Sequence, residues 1–105
     1  MIGYTPNARR QVAGLIAHYR AKRRPEALRN LDRFLTEAEA AIVNGPKRPR
    51  LFPATYRDLA RPGIAWLKSG IYWVAYKQTD PPVIVAVFWD RAAIDRRYAV
   101  GDEAE

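Results

Sequence analysis

The chain has 105 residues, 49% of them apolar, which is room for one folded domain with one core and no second domain. It contains no cysteine and a single histidine, His18, with no carboxylates clustered near it; this excludes a disulfide framework, a thiolate nucleophile and a cysteine-bound metal, and no metal or other cofactor is expected. The net charge is +7, and setting aside the three acids of the last four residues leaves 18 bases against 8 acids, a net +10, an excess that implies a polyanionic partner, nucleic acid or an acidic protein segment.

In chain order, residues 2–5 read as a short edge strand, and nothing at this end resembles a signal peptide. Thr5 is placed to cap a helix whose first position is Pro6, where a missing N–H costs nothing. From residue 7 to about 23, Val12, Leu15, Ile16 and Tyr19 fall at i, i+3, i+4 and i+7 and define one helical face. Lys22, Arg23 and Arg24 bring positive charge to its last turn. Pro25 restarts the chain as a second helix with the stripe Leu28, Leu31, Leu35, Ala38 and Ile42, and Asn44-Gly45-Pro46 stops it. So short a link makes the two helices antiparallel neighbours.

Residues 47–62 carry three prolines and the bases Lys47, Arg48, Arg50, Arg57 and Arg61, and read as an ordered loop with a turn of helix around 55–59. Residues 63–68 alternate, with Ile64, Trp66 and Lys68 on one face and Ala65 and Leu67 on the other, as a half-buried strand does. Ser69-Gly70 turns the chain into 71–77, and Gln78-Thr79-Asp80-Pro81-Pro82 turns it again into 83–89; both runs are rich in β-branched and aromatic residues. Residues 90–98 read as a short C-terminal helix and 99–105 as a frayed acidic tail. The fold class is α+β: an N-terminal strand and an antiparallel helical hairpin packed on a mainly antiparallel sheet of about four strands. No apolar run approaches the roughly 20 residues of a membrane span, so no membrane contact and a cytoplasmic location are expected.

From about Tyr4 to Tyr98 the chain resembles the RelE/ParE superfamily of toxins from bacterial type II toxin–antitoxin systems. The resemblance rests on the opening strand followed by P-N-A-R-R-Q-V-A-G-L-I-A-H-Y, the restart R-P-E-A-L-R-N-L and the helix end N-G-P, then G-I-Y-W-V-A-Y-K, an acidic turn, V-I-V-A-V-F-W and a basic close. The Ala-rich second helix is similar to the ParE branch, whose members generally inhibit DNA gyrase by direct binding. RelE-like members cut mRNA on the ribosome with lysines, arginines and a tyrosine. The positions where that pattern implies a lysine pair hold Ile64 and Trp66, and Trp73 stands where an arginine is implied. Lys68, Arg91 and Tyr98 are what remains, and phosphodiester cleavage needs several groups held around the phosphate.

The resemblance therefore implies a gyrase inhibitor, not itself an enzyme, with Lys68, Arg91, Arg96 and Arg97 contacting the target. An mRNA endonuclease with an atypical site of Lys68, Arg91 and Tyr98 is the alternative. It also implies a cognate antitoxin, acidic and partly disordered when free, in a hetero-oligomeric toxin–antitoxin complex. Val12, Tyr19, Leu31 and Trp66 are the expected antitoxin contacts. Each of these groups has a plainer reading: the bases as solvated surface charge, the tryptophans Trp66, Trp73 and Trp89 as packing.

Overall fold

The computed structural model describes residues 2–45, 48–53 and 57–89. Its elements are β1 (Gly3–Tyr4), α1 (Pro6–Ala21), α2 (Pro25–Asn44), a turn of 3-10 helix (Arg57–Leu59), β2 (Ile64–Ser69), β3 (Tyr72–Lys77) and β4 (Val83–Trp89). The expected C-terminal helix and acidic tail lie outside the described residues.

Local chemistry sets the helix ends where the sequence places them. The Thr5 hydroxyl accepts a hydrogen bond from the Ala8 N–H at 3.2 Å, closing the first turn of α1, and Pro6 is the first helical residue. Between the helices only Lys22, Arg23 and Arg24 intervene, and Arg23 adopts φ 52, so that the Arg24 N–H returns to the Tyr19 carbonyl at 2.9 Å. Gly45, at φ 74, follows the last turn of α2, a conformation glycine takes without a Cβ penalty.

The four strands form one mixed sheet in the order β1-β4-β3-β2. β2, β3 and β4 are antiparallel, whereas β1 pairs parallel with β4 through Gly3 opposite Val83 and Tyr4 opposite Ile84. A parallel pair needs a long crossover, and the chain between Tyr4 and Val83, which includes the helical hairpin, supplies it. Ala75 pairs with Ala86 but Tyr76 pairs with Ile84, so Val85 is an extra residue, a β-bulge in β4. Ile84 and Val87 consequently face the helices while Val85 and Ala86 both face the other way.

Both sheet faces are covered. Leu31, Ala38 and Ile42 of α2 and Ala8 of α1 close over Ala65, Tyr72, Val74, Tyr76, Ile84 and Val87. On the opposite face Leu59 packs with Trp66, Trp73, Ala75, Val85, Ala86 and Phe88, and the Trp66 and Phe88 rings stack at 6.2 Å. That second core is built by the proline-rich segment, whose Pro53 is fully buried. Every residue of 72–76 is therefore buried, which is why the run is continuously apolar and not alternating.

Candidate functional site

The site is a cleft of about 290 Å³ where the helical hairpin turns over the β2–β3 corner and the end of β4. α1 contributes Leu15, His18 and Tyr19, the start of α2 contributes Arg24, Glu26, Ala27 and Asn30, and the sheet contributes Ile71, Tyr72 and Trp89. Two of the most exposed large apolar side chains of the described residues, Ile71 at 43% and Trp89 at 42%, stand at this cleft. Ile71 is there because the β2–β3 turn is only Gly70-Ile71, with Gly70 at φ 60 and Ser69 already paired with Tyr72. Trp89 continues the helix-facing side of β4, two residues beyond Val87.

At the floor of the cleft the hydroxyls of Tyr19 and Tyr72 are hydrogen-bonded to each other. Burial, with the Tyr19 hydroxyl beside it, pushes the Tyr72 phenol well above its ordinary value. Tyr72 therefore stays protonated in the physiological range. Arg24 lines the cleft and Arg20, Lys22 and Arg23 belong to the same turn, while Glu26 is the one acid among the described residues that line it. Glu26 lies in the first turn of α2, where it also complements the helix dipole. The cleft thus combines apolar side chains, a pair of hydrogen-bonded hydroxyls and the Arg24 guanidinium.

The residues singled out from the sequence are distributed over both faces. Tyr19 lines the cleft, and Val12 is half-buried against the helix-side core. Leu31 is 2% exposed and Trp66 1%, so each is enclosed in a core and neither presents a surface. Lys68 is exposed on the opposite face of the sheet from Tyr19; its Nζ lies 5.8 Å from the centroid of the Trp73 ring. Arg50, which the sequence marked only as a base of the loop, places its Cζ 5.4 Å from the same ring. The Trp66 N–H donates to the Arg50 carbonyl at 2.8 Å, and this single bridge to the β2 edge fixes Arg50 beside Trp73. Arg91, Arg96, Arg97 and Tyr98 lie outside the described residues.

Sequence reasoning missed Arg24, Ile71, Tyr72 and Trp89 as members of one site. The near-zero interhelical link was the available signal for Arg24, since it forces the last base of that run back against Tyr19. An isoleucine in a two-residue turn was the signal for Ile71. Among the described residues no group of three or more metal-ligating side chains occurs, and no helix is long and apolar enough to cross a membrane. Comparison of the chain with protein-family models, with curated proteins and with solved structures found no match.

Proposed function

We propose that this chain is a ParE-like toxin of a type II toxin–antitoxin module, which inhibits DNA gyrase by direct binding and is neutralised by a cognate acidic antitoxin. The observation that carries this reading is the order of elements: a short strand, a helical hairpin with almost no loop, then three consecutive antiparallel strands with the hairpin on one sheet face. That is the order the resemblance implies, on a body of net charge +10 outside its acidic last four residues. Inhibition by contact is favoured over cleavage because Trp66 and Trp73, at two positions where the ribonuclease pattern implies bases, are buried packing residues. Steering of an acidic partner by the basic surface supplies the neutralisation arm.

The ribosome-dependent mRNA endonuclease keeps a place as the second reading for one reason. Arg50 joins Lys68 beside Trp73, a base that the set Lys68, Arg91 and Tyr98 read from the sequence did not include. Arg91, Arg96 and Arg97 carry target binding in the first reading. Their triple replacement by alanine is expected to leave thermal unfolding unchanged and to abolish inhibition of supercoiling by purified gyrase. Full inhibition by that variant would remove the three arginines from the site.

A further inference from the structure

The Tyr19 and Tyr72 hydroxyls carry two protons and share one hydrogen bond. Whichever of them donates to the other, one O–H is left, and no acceptor among the described residues takes it. Tyr72 is 1% exposed and Tyr19 is half-buried, so this spare donor sits at a partly buried cleft floor. The same cleft is lined by Arg24 and by the exposed Ile71 and Trp89. A buried phenolic donor is satisfied best by a charged oxygen, since O–H···O⁻ bonds are shorter and stronger than neutral ones. A guanidinium beside it selects the same group.

We infer that the cleft is a carboxylate-reading groove, in which the Tyr19–Tyr72 pair and Arg24 capture one acidic side chain of a partner protein while a neighbouring apolar side chain of that partner packs on Ile71 and Trp89. This deepens the functional reading above, because it rests on an acidic protein being the partner and names where and how one of its carboxylates is held. Charge complementarity selects that occupant: Arg24 lines the groove, Arg20, Lys22 and Arg23 are its neighbours in the chain, and Glu26 is the one acid among the described lining residues. Glu26 weakens capture, so its neutral variant is a test of sign.

The experiment is titration calorimetry of the full chain with an end-capped helical peptide bearing leucines on one face and glutamates beside them, and with its twin in which every glutamate is glutamine. The glutamate peptide is expected to bind about tenfold more tightly. Attraction to a basic surface alone would give part of that preference, so the site variants decide. Tyr19→Phe keeps the ring and is expected to cut the preference at least threefold without changing affinity for the glutamine peptide. Arg24→Gln reduces the preference further, Glu26→Gln increases it, and Arg48→Gln, near the far end of α2, leaves it unchanged. Thermal unfolding of each variant separates loss of the groove from loss of the fold. Equal affinity for the two peptides, or a Tyr19→Phe effect that is the same for both, overturns the proposal. So does tighter binding of the uncharged glutamine peptide on neutralising Asp102, Glu103 and Glu105, since the chain's own tail would then be the occupant. No toxicity is read in this assay: a chain that leaves gyrase untouched but discriminates the peptides refutes the functional reading and leaves the groove standing.

Discussion

Gly70 is a position where one atom decides the local fold. It sits at φ 60 in the β2–β3 turn with the Phe34 ring directly over it, and an added Cβ would run into that ring. The Ser69 hydroxyl donates to the Phe34 carbonyl at 2.7 Å, so α2 is fastened to this corner and cannot back away freely. Gly70→Ala is expected to cost at least about 2 kcal/mol in urea unfolding, from the left-handed backbone and the clash together; a variant as stable as the parent would contradict the close packing. Two buried phenols make a second residue-scale statement. The Tyr4 hydroxyl donates to a Glu39 carboxylate oxygen at 2.7 Å, and burial, reinforced by that acceptor, pushes its ionisation well upward, as burial does for Tyr72. A phenol raised on folding contributes stability that is fully present below its unfolded value near 10 and is lost as pH climbs toward the folded value. Unfolding free energy should therefore fall above about pH 10, and the double variant Tyr4→Phe, Tyr72→Phe should flatten that fall; an unchanged slope would contradict the assignment.

At the scale of elements, the two-residue β1 leaves most of the outer edge of β4 without a strand partner, and α1 completes it with side chains. Thr5 and Asn7 donate to the Val85 carbonyl at 3.3 and 3.4 Å, and the Val87 N–H donates to Gln11 Oε1 at 2.8 Å. The helix thus serves as a substitute strand at a bulged edge. Gln11→Ala strands the buried Val87 N–H and is expected to cost about 1–3 kcal/mol, with Gln11→Glu, which keeps an acceptor, recovering most of it. Equal stability of Gln11→Ala and the parent would show that the edge is satisfied otherwise. The helices were legible because their signals are local: the 3.6-residue stripe, Thr5-Pro6, Pro25 and Asn44-Gly45 act within a few residues of themselves. The alternation of 63–68 was legible for the same reason. The parallel pairing of β1, the bulge at Val85 and the packing of Leu59 over the second face depend on residues distant in sequence, and no local pattern encodes them. Trp66 and Leu31 were read as partner contacts because a large apolar residue looks the same whether its neighbour is a partner or its own core.

For the whole molecule, covering both sheet faces within so short a chain leaves little apolar surface to spare, which gives weight to where it remains. Ile71 and Trp89 converge on one basic-rimmed cleft next to the point where β4 ends, and Arg50 and Lys68 meet over Trp73 on the other face. The molecule thus presents an apolar groove with Arg24 on its helical side and the bases Arg50 and Lys68 on its other sheet face, and under the proposed function a neutralising partner and a target would engage different surfaces. The central claim is that the target is gyrase and not the ribosome. Pulse labelling of DNA and protein synthesis in bacteria, minutes after this chain alone is induced, tests it most directly. Early loss of thymidine incorporation with amino-acid incorporation intact is the expected result. Early loss of amino-acid incorporation, with DNA synthesis continuing, would contradict it and move the activity to mRNA cleavage.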